Sequence, residues 1–60
     1  MEEELIELLK ISKLAEEKST KIKVELCSKM IYSKAIKIRE IEKDFSDIID
    51  KLEKILKENS

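Results

Sequence analysis

From Val24 to Ile55, apolar residues return every three or four positions without a slip. Counted in heptads, Val24, Ile31, Ile38, Phe45 and Leu52 fall at position a, and Cys27, Lys34, Ile41, Ile48 and Ile55 at position d. Nine of those ten are apolar, Lys34 being the exception, and this is the pattern of helices that pack as coiled coils. Ala35, Ile49 and Leu56 widen the stripe to position e. A stripe this wide faces more than one neighbouring helix. The chain offers no forced interruption, because its sixty residues include no Gly and no Pro. Glu, Lys, Leu and Ile, which dominate it, favour or tolerate helix.

The amino-terminal segment has its own amphipathic pattern, with Leu5, Leu8, Leu9, Ile11 and Ala15 on one broad face and Ile6 and Leu14 off it. Extending the later heptad backwards places Glu3, Lys10 and Glu17 at a, so the two registers do not join. Small polar Ser19 and Thr20 are natural turn and N-cap residues. The expected chain is therefore one all-α domain over 1–60, a helical hairpin with a short helix 2–17, a turn near 18–21 and a long helix 21–58. Ile22, Tyr32 and Ile36 form a second apolar strip on the long helix, opposite the heptad face. A three-helix alternative requires a turn near Glu42–Phe45 with Asp44 as its N-cap, against the unbroken heptad.

Charge is segregated along the sequence. Residues 1–17 hold six acids and two lysines, residues 18–39 seven bases and Glu25, and residues 40–60 seven acids and four lysines. The respective net charges are −4, +6 and −3. A turn near 18–21 sets Glu2–Glu4 near Lys34, Lys37 and Arg39, Glu16 and Glu17 near Lys21 and Lys23, and Lys13 near Glu25. Each exposed pair contributes ~0–1 kcal/mol, yet the sign pattern favours this alignment over a shifted one.

Composition narrows the function classes. A single cysteine and no histidine leave neither a disulfide nor a zinc site within the chain. A domain this short needs some staple, and with those two excluded self-association is the leading candidate. The expected assembly is a dimeric four-helix bundle or coiled coil, dimer favoured over higher oligomers. Its interface residues are Cys27, Ile31, Ile38, Ile41, Phe45, Ile48, Ile49, Leu52, Ile55 and Leu56. A net charge of −1 argues against nonspecific nucleic-acid binding through total charge. No apolar run approaches the ~20 residues of a membrane span, and the free thiol suits a cytoplasmic protein. Twelve lysines against one arginine, among many Ile and Glu, fit an AT-rich genome or a heat-loving host.

No catalytic, cofactor or metal site is expected. Ser12, Ser19, Ser28, Ser33 and Ser46 have no histidine to activate them, and without glycine there is no phosphate-cradling loop. Glu40, Asp44 and Asp47 share a helix stripe but read as a solvated face. Glu2–Glu4 suit a helix N-terminus and its dipole. Cys27 reads as a small core residue, and Lys34 as a side chain that extends out of its apolar position to meet an acid. The function these features imply is a non-catalytic interaction module or small regulatory adaptor that self-associates through its long helix.

A second reading starts from Lys21-Ile22-Lys23-Val24-Glu25-Leu26, which alternates with the period of a strand. Followed by Met30–Ile41 and then Asp44-Phe45-Ser46-Asp47-Ile48-Ile49, this layout resembles the ribbon-helix-helix DNA-binding family. The resemblance covers about residues 20–56. It implies an intermolecular strand that presents Lys21, Lys23 and Glu25 to DNA while Ile22, Val24 and Leu26 are buried. The chain departs from the family pattern in having no glycine between the helices, Lys34 at an apolar position, an acid at the DNA face and a helix before the strand.

Overall fold

A computed structural model describes residues 1–58. Two α-helices of equal length form an antiparallel hairpin: α1 spans Glu2–Ser28 and α2 spans Tyr32–Glu58, 27 residues each. The molecule is a rod with principal extents of 45 × 14 × 11 Å.

The all-helical hairpin agrees with the sequence reading, but its turn lies elsewhere. α1 runs straight through residues 18–21, and the chain reverses at Lys29-Met30-Ile31. The division into a short helix 2–17 and a long helix 21–58 is therefore replaced by two equal helices. Serine and threonine stay in the helix by returning their hydroxyls to the preceding turn. Ser12 Oγ donates to the Leu8 carbonyl at 2.9 Å and Ser19 Oγ to the Ala15 carbonyl at 2.8 Å. Such back-bonding satisfies a polar side chain within a helix. α2 is likewise continuous through residues 42–45, so the chain has two helices rather than three among its described residues.

The reversal is made without glycine. Met30 takes a left-handed conformation with φ of 61°. Its N–H donates to the Cys27 carbonyl at 3.0 Å, and the Ile31 N–H donates to the Leu26 carbonyl at 2.9 Å. These two bonds define a Schellman termination, in which orphan carbonyls at the helix end are satisfied by the two residues that leave it. α2 then starts at once, the Ala35 N–H donating to the Ile31 carbonyl at 3.1 Å.

Each helix turns a seam with a repeat of seven towards the other. On α1 the seam positions are Leu5, Leu9, Ser12, Glu16, Ser19, Lys23 and Leu26; on α2 they are Ala35, Ile38, Glu42, Phe45, Ile49, Leu52 and Leu56, with Ala15, Thr20 and Ser46 half-buried at the edges. Small Ser12 and Ser19, 5% and 7% exposed, lie on the same face of α1 as the large residues and let the helix axes approach. Among the described residues the buried apolar core is Ala35, Ile49 and Leu52. Stepping seven from Leu26 lands on Ser33, whereas the α2 seam begins at Ala35. The register therefore shifts by two residues across the turn, and the heptad that ran through Val24, Cys27 and Ile31 crosses the turn by coincidence.

Candidate functional site

The seam carries a polar cluster near the turn. Lys23 Nζ donates to Glu42 Oε1 at 2.8 Å, and Thr20 Oγ1 donates to Glu42 Oε2. Thr20 Oγ1 also lies 3.1 Å from the Glu16 carbonyl oxygen, its alternative acceptor. The Lys23 hydrogen bond first, and the Thr20 hydrogen bond second, hold the Glu42 carboxyl below its ordinary pKa. Glu42 thereby bridges two residues of α1 that stand almost one turn apart. The arrangement ties the two helices together in one register, the ammonium and the hydroxyl both turned to the carboxylate.

The two flanks of the seam are chemically opposite. At 100° per residue, a side chain one position after a seam residue lies to one side, and a side chain three positions after it lies to the other. Antiparallel packing brings equal offsets of the two helices to the same side. Lys13 follows Ser12 and Glu53 follows Leu52, and they form an ion pair across the seam at 3.8 Å. That side is polar. Near the turn it holds a shallow cleft of about 210 Å³ lined by Lys23, Cys27, Tyr32, Ala35, Ile36 and Arg39.

The other side is apolar. Three positions after the seam, α1 presents Leu8, Ala15 and Ile22, and α2 presents Ile41, Ile48 and Ile55. The three isoleucines keep 41–43% of their surface exposed, and Leu8 and Ile22 each keep 47%. Five large aliphatic side chains thus lie on one face of a rod that buries few residues completely. The total accessible surface is 5068 Å², against about 4,100 Å² for a compact monomer of this mass.

The residues expected at an oligomer interface divide between these surfaces. Ile38, Phe45, Ile49, Leu52 and Leu56 pack within the hairpin, against α1, while Ile41, Ile48 and Ile55 form the exposed stripe. Cys27 is exposed on the polar side and Ile31 lies in the turn. Lys21, Lys23 and Glu25, the positions implied to face DNA from a strand, lie inside α1. Lys23 is committed to Glu42, and Glu25 accepts a hydrogen bond from Lys29 at 3.2 Å. The strand implied by the ribbon-helix-helix resemblance is helix in this fold. Tyr32 and Ile36 stand exposed at the start of α2, and Ile22 lies on α1 rather than on the same helix with them.

The expected charge alignment is corrected too. Moving the turn to 29–31 pairs Lys13 with Glu53 and Lys23 with Glu42, and it sends Glu2–Glu4 to the end of the rod away from Lys34, Lys37 and Arg39. Leu8 and Ile22 were not singled out for an interface from sequence. Their signal was present: with Ala15 they recur every seven residues, as the α2 isoleucines do.

Among the described residues no group of three or more His, Cys, Asp or Glu is placed to hold a metal ion. No helix among them is long and apolar enough to cross a membrane. An open groove beside the second half of α2 is lined by Leu9, Asp50, Lys51, Glu53, Lys54, Leu56 and Lys57. The sequence matches no protein-family model, and searches of curated proteins and of solved structures return no match.

Proposed function

We propose that this chain is a non-catalytic helical interaction module, a small adaptor that self-associates through its apolar flank. The observation that supports the reading is the stripe Ile41, Ile48 and Ile55, left exposed at seven-residue intervals although the hairpin's own seam is already filled. Exposed apolar side chains scattered singly are ordinary; a contiguous face of them marks an association surface. Burying a large aliphatic side chain contributes about 1.5–3 kcal/mol, so a covered flank would strengthen a fold with few fully buried residues.

Sedimentation equilibrium of the full chain tests this. The expected result is a mass of twice 7.1 kDa and a melting temperature that rises with protein concentration. A monomer at high concentration whose melting does not respond to dilution overturns the reading.

A further inference from the structure

At the turn, backbone and side chain are at odds. Met30 holds a φ of 61°, a conformation that is harder on a residue with a Cβ than on glycine. Its side chain gains nothing by packing within the hairpin, being 76% exposed. Strain with no reward inside the fold points to a role outside it. Met30 also has apolar company. Ile31 beside it is 37% exposed, and Val24, Tyr32 and Ile36 keep 57–60% of their surface. Val24 and Ile36 each follow a seam residue, on the side away from the isoleucine stripe. Both lie within about 9 Å of Met30 along the axis, at 1.5 Å per residue. These five residues give the rod an apolar end.

Cations surround that end. Residues 24–39 hold four bases and Glu25, net +3. The next level of the rod, residues 16–23 beside 40–47, holds four bases and six acids, net −2. Lys29 is paired with Glu25 at 3.2 Å. Lys34, Lys37 and Arg39 form no ion pair among the described residues, and the first turn of α2 carries no acid. At about 100° per residue these three are spread around α2, so they ring the end rather than form one basic face.

We infer that the turn end of the rod docks on an anionic lipid bilayer, with Met30, Ile31 and Tyr32 entering its interface and Lys34, Lys37 and Arg39 meeting the headgroups. Docking does not depend on the self-association proposed above, because the isoleucine stripe runs along the rod and the turn caps it. Depth, chemistry and shape support a bilayer. Interfacial segments sink about 5–10 Å, which takes in the five apolar residues and brings Lys37 to the headgroup level. A tyrosine at such a boundary keeps its ring in the apolar layer and its hydroxyl in water. Lysine and arginine stems extend in the same way to keep their charge wet. The end is convex, 14 × 11 Å in section, and a deformable bilayer receives it without a preformed groove. An apolar anchor joined to a basic cluster is the two-part attachment that holds peripheral proteins on anionic membranes. Because the positive excess is confined to the turn, the attraction acts at contact, within a Debye length of about 8 Å.

Co-sedimentation of the full chain with lipid vesicles tests this. Vesicles of phosphatidylcholine containing a third phosphatidylserine should bind it roughly a hundredfold more tightly than phosphatidylcholine alone, three cations contributing about fivefold each. No binding to the anionic vesicles, or equal binding to both, overturns the inference. Tyr32 is the single tyrosine in a chain without tryptophan, so its emission reports the contact and should become shielded from acrylamide on the vesicles. Tyr32 left open to the quencher overturns the turn as the point of entry. Met30→Gly separates docking from folding: it relieves the backbone and keeps the melting temperature, yet should weaken vesicle binding about tenfold. Unchanged binding by that variant overturns the role of Met30. Lys37→Gln should weaken binding about fivefold and Lys54→Gln, towards the open end, should not; equal losses overturn the basic ring. Soluble polyglutamate bound as tightly as the anionic vesicles overturns the lipid and assigns the end to an acidic protein.

Discussion

α1 and α2 have the same length and share one seam, yet they contribute to it differently. α2 brings bulk: Ile38, Phe45, Ile49, Leu52 and Leu56 all point at α1. α1 answers with Leu5, Leu9 and Leu26 separated by Ser12 and Ser19, whose service is to be small. Its other apolar residues, among them Ile6, Leu8, Ile11, Leu14 and Val24, are distributed around the helix and exposed. One helix therefore supplies side chains and the other supplies room for them. A seam can be built from a strongly patterned helix and a weakly patterned one, provided the weak one is small where the strong one is large.

This division of labour can be broken at its strongest point first. Leu52→Ala removes a buried core side chain, 6% exposed, and should destabilise the hairpin by about 3 kcal/mol, read from urea denaturation followed by circular dichroism. Ser19 tests the other side of the bargain. Ser19→Leu places a large residue where the helices approach closely and should lower stability by about 2 kcal/mol through overpacking. Ser19→Ala keeps the size, removes only a hydroxyl bonded to its own helix, and should leave the midpoint nearly unchanged. Equal effects of the two substitutions would sink the idea that smallness is what Ser19 provides.

The connection between the helices gives a gain rather than a loss. Met30→Gly relieves a side chain at positive φ and should stabilise by about 1 kcal/mol. If Gly destabilises, the Met30 side chain contributes packing that outweighs its backbone strain. The smallest effect is at the polar cluster. The depressed pKa of Glu42 means that its pairing adds stability in full above its ordinary value of 4.5. That contribution is lost as pH falls from there through the lower folded value. Glu42→Gln should flatten this part of the acid limb of a thermal-stability profile, and a carboxyl NMR titration should place Glu42 below its ordinary value.

The same contrast explains what was legible in the sequence. α2 was readable because bulk is what hydrophobic periodicity detects: Phe45, Ile49 and Leu52 announce both the helix and its inner face. The α1 seam was hidden because Ser12 and Ser19 look polar, and Ser19-Thr20 looks like a turn. Only their bonds to Leu8, Ala15 and Glu16 show them to be helical. The actual turn was hidden for the converse reason. Met30 adopts a conformation usually left to glycine, and Val24, Cys27 and Ile31 happened to continue the α2 register across it. The sequence does carry the mismatch between the two registers, which the fold places at residues 29–31 rather than at 18–21. The apolar flank was half visible, as Ile41, Ile48 and Ile55. Recognising Leu8 and Ile22 as their companions required the antiparallel pairing.

Folding also rearranges the charge blocks of the sequence. The basic stretch 18–39 does not stand alone at one end of the rod: the hairpin lays residues 40–47 beside 16–23, with Glu42 on Lys23. The turn half, residues 16–47, then nets +1, and residues 1–15 with 48–58 net −2. A chain with a strongly basic middle thus becomes a rod with little axial charge imbalance, and a charged surface has correspondingly little to turn it by from a distance.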